Sequence, residues 1–233
     1  MGHHIRNLNV YDHAQMMPMY KLVIFDLDGT LLNTLGDLAA AGNYALAKMG
    51  KPQHPVDAYK LFVGNGIPKL IERILPAEST DMEREETFRV FNEYYSAHKA
   101  DRTVPYDGIK DMLERLNALG VTCVVNTNKA HEFSGELLKA AFGNEICDLI
   151  GFGAGFPAKP APDAAEELCR RYGADKSEAL YVGDSSVDMQ TAAAAGIDAC
   201  AVLWGFRSYE ELSAFSPKYI VSDAEMLYRA VCG

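Results

Sequence analysis

The sequence predicts an α/β protein with a doubly wound parallel sheet, interrupted after its first strand by an all-helical insertion. Three observations carry that reading. From residue 105 onward, short apolar runs alternate with helical periods, the pattern of parallel strands joined by crossover helices. Between residues 35 and 100 the pattern is helical throughout. One strand, Lys21-Leu22-Val23-Ile24-Phe25, stands ahead of that helical block, so the block is spliced into the sheet. The predicted organisation is a Rossmann-like core from residues 19–34 and 101–233, a helical cap from residues 35–100, and an N-terminal extension over residues 1–18.

The extension (MGHHIRNLNVYDHAQMMP) has no clear period, and Met19 would be a natural start. Its His3, His4 and His13 lack cysteine or acidic partners at ligand spacing, which argues against a metal site there. The first strand is continuously apolar, as a strand buried on both faces is, and stops on Asp26 and Asp28 followed by Gly29-Thr30. In an open parallel sheet ligands bind beyond the carboxyl ends of the strands, so these two acids stand where chemistry happens.

In the cap, Leu35, Leu38, Gly42, Ala45 and Met49 recur at helical spacing until Gly50-Lys51-Pro52 stops the helix. Val56 to Phe62 and Pro68 to Leu75 give two short helices. A long fourth carries Phe88, Phe91, Tyr95 and His98 on one face. The aromatics read as cap core and His98 as a surface residue. The later helices run from Ile109, Phe133, Pro162 and Val187. They alternate with strands at Val121–Asn126, Asp148–Phe152, Leu180–Val182, Ala199–Leu203 and Tyr219–Val221, before a final helix. Gly120, Gly173 and Gly196 stand where helices end, the usual place of a left-handed cap.

Composition is that of an ordinary globular chain: 233 residues, 48% hydrophobic and 23% charged. A net charge of −10 argues against nucleic-acid or anionic-membrane partners. An anionic substrate would need a metal and local cations to overcome that field. Five scattered cysteines, with Cys123 and Cys200 in apparent strands, fit a reducing, cytoplasmic compartment. No signal peptide is visible, and no apolar run approaches the roughly 18 residues of a membrane span.

Each later strand ends on a group suited to phosphate chemistry. Val124-Val125-Asn126 runs into Thr127-Asn128; the next strand leads to Lys159-Pro160; Leu180-Tyr181-Val182 ends in Gly183-Asp184-Ser185-Ser186-Val187-Asp188. Each has a plain reading too: Thr127, Asp184 and Asp188 as helix caps, Lys159 as a solvated loop residue. Four such groups in order on one sheet edge, beside Asp26, make a stronger pattern than any alone.

That order of motifs resembles the haloacid dehalogenase superfamily, over Met19 to the end of the chain. The resemblance implies the following roles. Asp26 is a nucleophile that attacks phosphorus. Asp28 is the acid for the leaving oxygen and then the base for water. Thr127 and the Asn128 N–H hold phosphoryl oxygens, and Lys159 neutralises charge. Mg²⁺ is held by Asp26, the Asp28 main-chain carbonyl and Asp184, with Asp188 in support. Dehalogenases that attack carbon lack the second acid, so Asp28 implies phosphatase chemistry.

A further resemblance is to the phosphoglycolate phosphatases. It rests on FDLDGTLLNT, GDLAAAGNYAL, Phe62-Val63-Gly64-Asn65-Gly66-Ile67-Pro68 and VGDSSVDMQTAAAAG. The sequence departs from their pattern at Asn33 and Ala161. Gly64, Asn65 and Gly66 read either as a cap turn or as a backbone N–H nest facing substrate. Lys69 and Arg73 are the cap cations that could meet a substrate carboxylate, against the plainer reading of a solvated helix face.

The expected function is thus Mg²⁺-dependent hydrolysis of a small phosphate monoester, 2-phosphoglycolate or similar, through an aspartyl-phosphate. The expected partners are a small phosphorylated metabolite and no nucleic acid or membrane, with the chain a monomer or weak homodimer. A pyrophosphatase, nucleotidase or sugar phosphomutase of the same fold remains open, because fold does not fix function. A non-enzymatic phospho-acceptor domain is disfavoured by the chain's length and its cap.

Overall fold

The computed structural model describes residues 18–233; the readings of His3, His4 and His13 lie outside the described residues. β1 (Leu22–Phe25) is buried along its whole length, because it sits mid-sheet between β4 (Thr122–Ala130) and β6 (Ala179–Gly183), parallel to both. With β5 (Asp148–Phe152), β7 (Asp198–Val202) and β8 (Tyr219–Val221), the sheet order is β5-β4-β1-β6-β7-β8, all parallel. From β1 the chain builds outward through β4 and β5, then returns to the other side of β1 at β6. Where the direction reverses, the loops part and leave a crevice at the carboxyl edge.

Alternation along β1 divides the core into two layers. Val23 and Phe25 pack with Met112 and Leu116 of α5 (Ile109–Ala118) and Leu227 of the C-terminal helix (Ala224–Cys232). Leu22 and Ile24 pack with Ala165 and Leu168 of α7 (Asp163–Tyr172) and Ala192 of α8 (Ser186–Ala195). Such two-sided burial is why the strand reads as unbroken apolar sequence.

One boundary differs from the sequence reading. β4 does not end at Asn126 but continues through Thr127, Asn128 and Lys129 to Ala130, with an irregular register against β5 between Asn126 and Ala130. α6 accordingly starts at His131 and runs to Phe142. Irregularity of this kind bends a strand and re-aims its side chains, here at the residues that face the crevice.

Between β1 and β4 the chain forms α1 (Leu35–Lys48), α2 (Tyr59–Phe62), α3 (Ile67–Ile74) and α4 (Asp81–His98). They enclose an apolar cluster of their own, including Leu38, Leu46, Tyr59, Leu70, Ile74, Phe91 and Tyr95. Gly42 lets α1 approach Tyr59, whose ring lies where a Cβ would stand. α4 starts with a capping box between Thr80 and Glu83. Phe91 and Tyr95 are core, as expected. Phe88 is not: it is 38% exposed, in a surface groove with Pro68 and Ile71. α4 packs chiefly on α1 and only lightly on α3, so that end of its apolar face stays uncovered. His98 lies at the surface, paired with Asp101 at 2.8 Å.

The two connections between helical block and sheet pair with each other, which the sequence did not reveal. β2 (Leu32–Asn33) and β3 (Val104–Pro105) form a short antiparallel ribbon. Asp37, in the first turn of α1 and 1% exposed, closes it. Its carboxylate accepts from Arg102 N at 3.0 Å, Thr103 N at 2.8 Å and Thr103 Oγ1 at 2.8 Å. No helix among the described residues is long and apolar enough to cross a membrane.

Candidate active site

Phe25, Val125 and Val182 stand level across three adjacent strands. Just beyond that level Asp26, Thr127 and Asp184 come to one carboxyl edge, Asp26 and Asp184 past the ends of β1 and β6 and Thr127 within the longer β4. Asp26, Asp184 and Asp188 are all buried, each with a carboxylate oxygen within 4.8 Å of the others'. Asp184 is fixed by backbone that allows it no slack: a Cβ on Gly29 or on Gly205 would overlap it. Gly29 also has φ +88°, a conformation that side chains resist.

One lysine serves this cluster. Lys159 Nζ lies 2.8 Å from Asp26 Oδ1 and 2.7 Å from Asp188 Oδ1. The Asp26 contact is an ion pair off the hydrogen-bonding direction, so Asp26 Oδ1 has no aligned donor. Asp188 is fully used: its second oxygen accepts from Ser185 N at 3.0 Å and Ser185 Oγ at 2.6 Å. Asp184 takes one firm hydrogen bond, from Phe206 N at 2.7 Å, and a long one from Thr30 Oγ1 at 3.5 Å.

The charges show the same imbalance. Burial, with the charge of Asp188, raises the Asp26 carboxyl to about 6 despite Lys159. Burial and the charges of Asp188 and Asp26 raise Asp184 well above the carboxylate range. Burial alone would lower Lys159, but Asp188 and Asp26 outweigh it and hold the ammonium charged. Three buried carboxylates against one ammonium, with an oxygen left unserved, are the donor set a hard divalent cation satisfies.

Asp28 also lines a small cavity of about 30 Å³ between sheet edge and helical block. Asp26, Thr127 and Asn128 line it from below; Leu38, Val63, Gly64, Gly66, Ile67 and Leu70 line it from above. Asn128 does more than its expected backbone role. Its side chain accepts from Lys159 N at 2.8 Å and donates to Gly64 O at 3.2 Å, fixing the lysine loop and touching the cap at once. Arg207 reaches from the loop after β7 to the carbonyls of Lys60 and Val63. These contacts hold the helical block over the sheet edge.

One expectation on the cap is corrected. Gly64 and Gly66 line the cavity, but Asn65 is exposed and accepts from Arg73 at 2.8 Å. Lys69 and Arg73 follow their plainer reading and do not line the cavity. Lys69 pairs with Glu72 at 2.7 Å, and Arg73 is held by Asn65 and Phe62 O. A flexible, exposed cation on a helix finds its nearest i+3 acid first.

The residue that sequence reading missed is Lys129. It is 3% exposed, lines the cavity, and bonds both Asp28 oxygens at 3.0 and 3.2 Å. Its Nζ lies 4.8 Å from the ring centre of Tyr95, on α4. Burial would lower its pKa, but Asp28 and Tyr95 reverse that and raise it. The available signal was its place directly after Thr127-Asn128. The sequence reading ends the strand at Asn126, short of this position; the extended β4 turns it inward.

A family model for haloacid dehalogenase-like hydrolases matches residues 23–202. A phosphoglycolate phosphatase of Pseudomonas putida is 34% identical over 213 residues, covering 89% of this chain and 78% of its own. One from Haemophilus influenzae is 33% identical over 222 residues, covering 91% and 98%. A crystal structure from Lactobacillus delbrueckii subsp. bulgaricus, assigned as a phosphoglycolate phosphatase, superposes with a TM-score of 0.88 at 33% identity, covering 92% of this chain and 99% of its own. The chain belongs to the haloacid dehalogenase-like hydrolases. Within that family it is an enzyme of the phosphoric monoester hydrolase class.

Proposed function

We propose that this enzyme hydrolyses a small phosphate monoester, 2-phosphoglycolate or a similar ester, with Mg²⁺ and through a phosphoryl group carried on Asp26. The observation that supports it best is the pairing of two acids in one small cavity with opposite neighbours. Asp26 lies against Lys159 and the acidic cluster, while Asp28 opens toward the cap.

The division of labour follows from those surroundings. The Asp26 carboxylate attacks phosphorus, and the bond from phosphorus to the ester oxygen breaks. Asp28 gives its proton to the departing oxygen, then takes one from the water that attacks the phosphorylated Asp26. Thr127 Oγ1 and the Asn128 N–H donate to phosphoryl oxygens, and Lys159 offsets their charge. Mg²⁺ held by Asp26, Asp184 and the Asp28 main-chain carbonyl would neutralise the phosphoryl group as charge redistributes. Asp188 supports that set indirectly, by holding Lys159 at 2.7 Å.

Residues 35–100, in this reading, are a lid joined through the β2–β3 ribbon, and closing it expels water. The small cavity between sheet edge and cap favours a small leaving group over a nucleoside. The relatives named phosphoglycolate phosphatase point to the same size of substrate.

The deciding experiment is kcat/KM with Mg²⁺ for 2-phosphoglycolate, pyrophosphate, β-glucose 1-phosphate and nucleoside monophosphates. 2-Phosphoglycolate should lead. A tenfold or greater preference for any of the others would overturn the substrate and leave the phosphatase chemistry standing.

A further inference from the structure

Among the residues lining the cavity between sheet edge and cap, two are carboxylates, Asp26 and Asp28, and one is a cation, Lys129. The other basic side chains nearby do not line it, whereas Lys129 does and its partner Asp28 lines it too. Lys159 bridges Asp26 and Asp188, Arg73 binds Asn65 and Phe62 O, and Arg207 binds the carbonyls of Lys60 and Val63. We propose that Lys129 is the residue by which this enzyme selects its substrate, through an ion pair with a carboxylate borne on the ester carbon of the leaving group. The inference rests on the proposed hydrolysis of a small phosphate monoester.

Reach favours it. An ester oxygen that takes a proton from Asp28 lies about 2.8 Å from that carboxyl. Lys129 Nζ is 3.0 Å from Asp28 Oδ1 and 3.2 Å from Oδ2. The ester oxygen therefore lies at most about 6 Å from the ammonium, and a carboxylate on the ester carbon extends about 3 Å further along. A neutral substituent of the same length spans the same gap without supplying charge.

The setting makes that charge count. Lys129 is already out of water, 3% exposed, between Asp28 of the sheet edge and the Tyr95 ring of the cap. No hydration has to be stripped from it when the substrate arrives, and the local dielectric is low. It also stands on β4, a rigid element of the sheet, so its position does not depend on a cap side chain finding its place. A cationic substituent would be repelled from the same spot.

The test compares three esters with similar leaving groups: 2-phosphoglycolate (anionic), 2-hydroxyethyl phosphate (neutral) and O-phosphoethanolamine (cationic). In the wild-type chain kcat/KM should fall in that order, with the first step about 10- to 100-fold. Lys129→Met keeps the side-chain length and removes the charge. It should bring the ratio of the anionic to the neutral ester close to one, and Lys129→Arg should restore part of it. Because the readout is a ratio within each variant, damage that Lys129→Met does to catalysis through Asp28 cancels. A ratio that Lys129→Met leaves unchanged overturns the proposal, as does a wild-type enzyme indifferent to the three charges, which needs no variant to fold. Absence of turnover on all three esters removes the phosphatase reading itself, and this inference with it.

Discussion

Lys159 Nζ lies 2.8 Å from Asp26 Oδ1 and is the only ammonium within ion-pair distance of that carboxylate among the described residues. The same nitrogen holds Asp188 at 2.7 Å. Removing it in Lys159→Met leaves two buried acids uncompensated, a situation that costs about 3–5 kcal/mol when one partner of a buried pair is lost. We expect kcat/KM to fall at least a hundredfold and urea stability to fall as well. Activity within tenfold of wild type would contradict the role.

Asp26→Asn should abolish turnover and leave the fold intact, since the amide neither attacks phosphorus nor carries charge to a metal. Circular dichroism and a steady-state assay check both halves. Asp28→Asn should be severely impaired on 2-phosphoglycolate and less so on p-nitrophenyl phosphate, whose leaving group needs no proton. Equal losses on the two esters would contradict the acid role.

Chelator should abolish activity, and Ca²⁺ should inhibit, because its larger and more flexible shell lets Asp26 bind the ion with both oxygens and stops it attacking. Full activity after exhaustive chelation refutes the metal.

The pH dependence of metal-free stability has a definite sign. Asp26 has its carboxyl raised to about 6 in the folded protein, so between about 4 and 6 the folded state binds more protons than the unfolded one. Asp26 therefore makes the metal-free protein less stable as pH rises through that window. A cation at the cluster removes the penalty. Mg²⁺ should raise Tm more at pH 7.5 than at pH 5, measured by differential scanning fluorimetry. An equal or smaller rise at pH 7.5 would count against the cluster as the binding site.

Asp37→Ala should strike the hinge. Arg102 N, Thr103 N and Thr103 Oγ1 lose their acceptor in a part-buried ribbon, at a cost of about 2–4 kcal/mol. Thermal unfolding should report the loss, and KM should rise as the cap loses its fixed approach. Unchanged Tm would show that the clasp carries no stability.

What the sequence determined by itself was whatever local chemistry dictates. Unbroken apolar runs such as Leu22–Phe25 specify buried parallel strands, and Gly173 and Gly196 specify left-handed helix ends. An ordered series of polar residues after those strands names the edge where Asp26, Thr127, Lys159 and Asp184 gather. Only tertiary structure decided which partner each charge takes, because that depends on distances between elements far apart in the chain. Nothing in the sequence singled out Lys129, yet an irregular stretch of β4 turns it onto Asp28, 101 residues earlier. For Lys69 and Arg73 the plainer reading, a helix face turned away from substrate, is the one the structure shows, each taking a partner within the cap. The clasp of Asp37 on Thr103 exists because the β2–β3 ribbon brings the two cap connections side by side. A helical period says which face of α4 is apolar; whether Phe88 on that face is covered depends on how far α3 packs across it, and here it is left 38% exposed.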